Sequence, residues 1–144
     1  IRVPGWATGP REIFVNGKKQ VAGTPGTYIT LDRKWKSRDE IRFTLPMGFR
    51  LTKYAGIEKG FKDREAYALE YGPLLMAVVG ESVQNGEIGI PLSKAELIGK
   101  LKPVAGSPLH FAIIDGTERT LKYIPYYEVK GTLLDTFTCY PVLR

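Results

Sequence analysis

Apolar and polar residues alternate along most of this chain with a period of two, and stretches with the 3.6-residue period of an amphipathic helix are scarce. Glu12-Ile13-Phe14-Val15 runs into Asn16-Gly17 and leaves through Lys18-Lys19-Gln20-Val21. Asn-Gly between two strand-like runs predicts a hairpin, because both positions of the tight turn require positive φ. Thr24-Pro25-Gly26 turns the chain into a further strand at residues 27–31. Residues 35–39 then connect to Glu40-Ile41-Arg42-Phe43-Thr44-Leu45. Ile41, Phe43 and Leu45 share one face of that strand, and Arg42 and Thr44 the other, which predicts one buried and one wet face. Pro46 lacks a ladder donor and ends it.

Phe49-Arg50-Leu51 predicts another short strand, and residues 52–64 a polar loop. Residues 65–70 alternate Tyr67 and Leu69 against Ala66 and Ala68, and Tyr71-Gly72-Pro73 is a turn. The unbroken apolar run Leu74-Leu75-Met76-Ala77-Val78-Val79 suits a strand buried on both faces. Residues 80–107 hold Gly, Ser and Pro, with at most one short helix at residues 93–98, capped by Ser93. Residues 109–114, the turn Asp115-Gly116 and residues 120–124 predict a second hairpin, and residues 126–129 and 134–140 the last strands. Eight to ten short strands with regular turns make an all-β fold, an antiparallel β-sandwich (jelly-roll-like) with long loops.

Composition agrees with one domain over 1–144. Hydrophobic residues are 43% and charged residues 25% of 144, enough for a core. The formal charge of +6 is uneven: residues 1–64 hold 14 basic and 6 acidic side chains, residues 65–144 hold 7 and 9. Lys34-Trp35-Lys36 interleaves basic and aromatic side chains in the manner of single-strand binders. Asp32, Asp39 and Glu40 flank it, and no nucleic-acid signature accompanies it. The cluster Arg33, Lys34, Lys36 and Arg38 therefore reads as solvated turn and edge residues. The longest apolar run has six residues, far short of the ~20 of a membrane-spanning helix, so no membrane partner is expected. The chain opens on Ile1-Arg2-Val3-Pro4, which reads as mid-strand. It is expected to be part of a longer protein, with an exposed edge or apolar patch near residues 1–7 through which it can dimerise.

Candidate chemistry is thin. One Cys and one His cannot build a structural zinc site, which takes about four ligands, and no cofactor motif is present. Cys139 lies in an apolar run and reads as a buried thiol. His110 reads as a strand residue. Ser82, Ser93 and Ser107 have no neighbouring base. Glycoside hydrolysis usually needs two carboxylates. The pairs in range are Asp63 with Glu65, which reads as solvated loop, and Glu65 with Glu70, which would face opposite sides of a strand. Glu70 precedes the Gly72-Pro73 turn. It reads as a carboxylate holding that turn, with a buried, pKa-shifted acid as the other reading. Trp6, Trp35, Tyr28 and Tyr54 are the candidate sugar-stacking rings. Trp6 and Trp35 equally suit the ends of a core or an interdomain contact.

Several short segments together resemble a known family. Ile1-Arg2-Val3-Pro4-Gly5-Trp6-Ala7 is followed by Val15-Asn16-Gly17, then by Trp35-Lys36, Leu45-Pro46-Met47 and Arg50. Ala68-Leu69-Glu70-Tyr71-Gly72-Pro73-Leu74 follows, and Ile124-Pro125-Tyr126-Tyr127-Glu128 and Phe137-Thr138-Cys139-Tyr140 close the pattern. In this order they resemble the C-terminal β-sandwich region of glycoside hydrolase family 127, the β-L-arabinofuranosidase-like proteins once grouped as a domain of unknown function. The resemblance implies that a zinc-held cysteine nucleophile and an acid/base glutamate sit in an (α/α)6 barrel N-terminal to this region. No catalytic residue carries over. The implied role is a non-catalytic accessory domain that packs on the barrel of the same polypeptide. A carbohydrate-binding module for plant-type oligosaccharides is the alternative. The family usually has Gly between the residues matching Lys36 and Asp39, where this chain has Ser37-Arg38.

Overall fold

The Asn16-Gly17 dipeptide sets the first sheet. In the computed structural model, which describes residues 1–56, 65–80, 88–114, 119–130 and 137–143, both residues have positive φ, 50° and 75°. They join β1 (Arg11–Val15) to β2 (Lys18–Gly23), with Val15 opposite Lys18 and a register slip between Glu12 and Phe14. β3 (Ile41–Phe43) pairs with the other edge of β1, giving the antiparallel order β2-β1-β3. These strands belong to a compact unit spanning residues 1–48; residues 49–144 form a second.

The core of the first unit is Val3, Ala7, Ile13 and Ile29, with Ile1, Trp6, Leu31 and Leu45 packed against it. Full burial of a side chain such as Ile13 contributes roughly 1.5–3 kcal/mol. Gly23 is required by this packing, because a Cβ there would collide with Ile29 and Val3. Three expectations change here. Residues 27–31 form only an isolated bridge, Arg2 to Tyr28, flanked by the bonds Val3 N to Thr27 O (2.9 Å) and Ile29 N to Ile1 O (2.8 Å). Val3 and Ala7 are buried and Trp6 packs on the cluster, so the apolar patch expected at residues 1–7 is not there. Ile41 and Phe43 lie opposite Val15 and Ile13, yet they are 39% and 43% exposed. β3 is an outer strand of three residues, paired on one edge only.

The second unit is built around β6. Its strands are β4 (Phe49–Lys53), β5 (Tyr67–Tyr71), β6 (Leu74–Val79), β7 (Gly89–Ile90), β8 (Lys102–Pro103), β9 (Phe111–Ile114), β10 (Thr120–Pro125), β11 (Phe137–Thr138) and β12 (Val142–Leu143), with one helix, α1 (Lys94–Lys100). The main sheet runs β4-β5-β6-β10-β9-β8, all antiparallel, and β11 also pairs with β6. β5 and β11 share one edge of β6 and β10 takes the other, so Met76, Ala77 and Val78 are wholly buried. That is the physical meaning of the unbroken apolar run. Gly72, with φ of 56°, and Pro73 close the β5–β6 hairpin. Ser93 caps α1 as expected: its Oγ accepts from Glu96 N, and the Glu96 carboxylate accepts from Ser93 N at 2.9 Å.

Leu97 of α1, Leu69, Met76, Val78, Ile90, Leu121 and Tyr123 fill the core, and Phe111 meets Phe49 and Tyr71 at ring distances of 4.7 and 4.9 Å. β7 and β12 are the one parallel pair among the described residues. The fold is thus all-β and β-sandwich-like, with twelve described strands. Four of these have only two residues, too short for periodicity to reveal. Residues 126–129, expected as strand, instead make a 3₁₀ turn at Tyr126–Glu128 closed by Val129 N to Tyr126 O at 3.1 Å. The Asp115-Gly116 turn, Asp63, Ser82 and residues 134–136 lie outside the described residues.

Candidate functional site

The aromatic candidates separate by burial. Trp6 belongs to the first unit's core. Tyr54 is half-buried, its ring tilted at 64° to that of Tyr140 with centroids 5.1 Å apart, and its hydroxyl fills the space over Gly56. Trp35 and Tyr28 stay exposed, at 47% and 76%. Trp35 carries the Arg33 guanidinium 4.9 Å from its ring centroid.

The basic loop beside Trp35 is internally compensated. Asp39 accepts from Lys36 N (2.9 Å), Asn16 Nδ2 (2.7 Å) and Arg33 Nη2 (3.2 Å). The Lys36 and Asn16 bonds hold its carboxyl below the usual range. Arg42 pairs with Glu40, and Lys19 with Glu12. This pairing offsets the positive charge at Arg33, Arg42 and Lys19. Arg38 adopts φ of 71°, a left-handed backbone that carries an L side chain in the turn between Lys36 and Asp39.

The carboxylates on the strands are committed as well. Arg50 lies opposite Glu70 across β4–β5, and the Glu70 carboxylate accepts from Arg50 Nε and Thr52 Oγ1, each at 2.7 Å. The expected hold on the Gly72-Pro73 turn is instead a cross-strand tie. The Arg50 bond leads in keeping the Glu70 carboxyl below its usual range. Glu65 accepts from Lys53 Nζ and from the Tyr67 hydroxyl, each at 2.6 Å, and is likewise held low, first by Lys53. Lys94 of α1 donates to the Tyr67 hydroxyl at 3.3 Å and stands 4.9 Å from that ring's centroid. Carboxyls held ionised in this way are poor proton donors at neutral pH.

Cys139 is half-buried, and burial pushes its thiol up to about 11, so the nucleophilic thiolate is scarce at neutral pH. Among the described residues no three His, Cys, Asp or Glu side chains group as metal ligands, and no helix is long and apolar enough to cross a membrane.

Two features had no sequence signal. His110, expected in a strand, sits just before β9 in a turn, where its N–H donates to Ser107 O at 3.2 Å. Its Nε2 is 2.7 Å from Glu128 Oε2. The β9–β10 register, Phe111 opposite Tyr123, brings these residues together, and a separation of 18 positions hides the pairing in the sequence. The other feature is Arg11, whose Nε and Nη2 are buried with no partner among the described residues. An apolar recess of about 500 Å³ lies between Lys100, Lys102, Ala112, Ile113, Ile114 and Thr120.

Residues 1–47 match the family model described as the β-L-arabinofuranosidase GH127 middle domain. No curated protein matches. Among solved structures, a protein described as a glycoside hydrolase aligns with 99% of this chain and 27% of its own, at TM-score 0.63 and 21% identity. A GH127 β-L-arabinofuranosidase from Geobacillus stearothermophilus T6 aligns with 99% of this chain and 26% of its own, at TM-score 0.55 and 16% identity. The chain therefore spans about a quarter of the length of each. Residues 1–47 are similar to the middle domain of the GH127 β-L-arabinofuranosidases, and the whole chain shares the fold of the corresponding part of these two proteins.

Proposed function

We propose that the chain is a non-catalytic accessory module of a glycoside hydrolase similar to the β-L-arabinofuranosidases. In this reading it packs on and supports an (α/α)6 catalytic barrel in the same polypeptide, with residues 49–144 continuing toward the C-terminal side of the middle-domain segment. The observation that carries the reading is the state of its reactive groups. Glu65 and Glu70 accept hydrogen bonds from Lys53 and Arg50, which lower their carboxyl pKa, and the Cys139 thiol is pushed up by burial. None is arranged as the acid of a hydrolytic pair. The test is to express the parent polypeptide with and without these residues. Loss of soluble, folded barrel on their deletion, restored when the 144-residue chain is supplied separately, supports the reading. An unchanged melting temperature and activity without them contradicts it.

A second reading, binding of plant-type oligosaccharide, is favoured by the exposed rings of Trp35 and Tyr28. It requires heat on calorimetric titration with arabinan oligosaccharides that is lost in Trp35→Ala. Absence of heat removes it.

A further inference from the structure

The Asn16-Gly17 turn carries a reactive pair of residues. Asn is among the thermolabile side chains, and it deamidates most readily before Gly, which has no side chain to shield its backbone nitrogen. In that reaction Gly17 N attacks Asn16 Cγ and a five-membered succinimide closes. The bond from Cγ to Nδ2 breaks, and Nδ2 leaves as ammonia with the proton that Gly17 N gives up. Water then opens the ring to aspartate or isoaspartate. The net change is one water in, one ammonia out and one negative charge gained at position 16. The turn is open to solvent: Asn16 is exposed, and nothing lies within 4 Å of a Cβ placed on Gly17.

The structure ties down both ends of the Asn16 amide. Its Nδ2 donates to Asp39 Oδ1 at 2.7 Å, and its Oδ1 accepts from Glu40 N at 2.9 Å. Asn16 N donates to Glu40 O, also at 2.9 Å. Swinging Cγ onto Gly17 N would break both side-chain bonds. The acceptor is shared. Asp39 also accepts from Lys36 N at 2.9 Å and from Arg33 Nη2 at 3.2 Å, so one carboxylate organises residues 33–40 around exposed Trp35. A carboxylate at position 16 would lose the donor and face that of Asp39 across a hydrogen-bond distance. A negative charge added beside an Asp disrupts by repulsion.

We propose that Asn16 is a guarded deamidation site. The Asp39 and Glu40 bonds hold its amide unreactive in the folded chain. Conversion, once the turn opens, changes the tie between the first hairpin and residues 36–40 into a like-charge repulsion. The reaction thus loosens the contact that delays it. The proposal does not depend on the accessory role.

The test ages the unaltered chain in mildly alkaline buffer, with and without concentrated urea, and follows position 16 by peptide mapping and mass spectrometry. Conversion is expected to be about tenfold or more slower in the folded chain than in urea. Asp39→Ala removes the acceptor and is expected to speed conversion in native buffer severalfold. The product is tested separately. Asn16→Asp is expected to lower the melting temperature at neutral pH by about 4 °C. Adding Asp39→Asn to it restores a donor opposite the new carboxylate and is expected to recover at least half of that loss. If Asp39→Ala does not fold, this exchange and the comparison with urea decide. The proposal is overturned by equal rates with and without urea, by an unchanged rate in folded Asp39→Ala, by an unaltered melting temperature in Asn16→Asp, or by no recovery in the double variant.

Discussion

Two arginines on two strands, one in each unit, meet different surroundings. Arg50 on β4 faces Glu70 on β5 and shares its carboxylate with Thr52. Arg11 on β1 faces Gly23, and its buried Nε and Nη2 have no acceptor among the described residues. The same contrast appears in the apolar residues. β6 is paired on both edges and buries Met76, Ala77 and Val78, whereas β3 is an outer strand that leaves Ile41 and Phe43 partly exposed. A strand's burial follows from its place in the sheet as much as from its own residues. Among the described residues, the β6 run and the Arg50–Glu70 pair are satisfied from within, whereas Ile41, Phe43 and two Arg11 nitrogens are not.

The sharpest way to break this comparison is to cut the same kind of side chain in both places. Met76→Ala on β6 is expected to cost about 2–5 kcal/mol, from lost transfer energy plus a cavity. Phe43→Ala on β3 is expected to cost less than about 1.5 kcal/mol, because 43% of that side chain's residue is already in water. Urea unfolding measures both, and equal costs would dissolve the distinction between the two strands.

The larger unit has one internal flaw of its own. The Tyr123 hydroxyl is buried without a partner among the described residues, and burial drives its titration upward. Tyr123→Phe is expected to stabilise by about 1 kcal/mol, since it removes an unpaired polar group and keeps the ring. A loss of stability in this variant would show that the hydroxyl holds an ordered water.

The Arg50–Glu70 tie is expected to matter less, about 0.2–1 kcal/mol, because the Arg50 side chain is 56% exposed. Its signature is in pH. The Glu70 carboxyl is held below its ordinary 4.5, so its contribution is complete above that value and is lost as pH falls through the lower, folded-state value. Wild type and Glu70→Gln should therefore differ in melting temperature at neutral pH and converge in acid. Parallel curves would show that the pair contributes nothing. Smallest of all, Arg38→Gly is expected to stabilise by a few tenths of a kcal/mol, the relief of φ 71° set against glycine's greater unfolded freedom. Thermal melts decide the sign.

These contrasts also mark what could be read from the sequence. The Asn16-Gly17 hairpin, the β6 run and the Ser93 cap were legible because each depends on residues adjacent in the chain. Ile41 and Phe43 misled because alternation reveals which residues share a face and says nothing of whether another layer covers it. The turn at Tyr126–Glu128 was hidden because its aromatic residues favour strands locally. Among the candidate site residues, burial divides Trp6 and Tyr54, which pack, from Trp35 and Tyr28, which do not. The His110–Glu128 pair and the Arg11 nitrogens without a partner among the described residues arise from strand register, which no local pattern records.

The central proposal is that this chain serves as an accessory module without hydrolytic activity of its own. It is tested most directly by incubating the purified 144-residue chain with an aryl β-L-arabinofuranoside and following release of the aryl alcohol. The expected result is a rate equal to buffer alone, unchanged by Glu65→Gln or Glu70→Gln. Turnover above buffer that disappears in Glu70→Gln would contradict it.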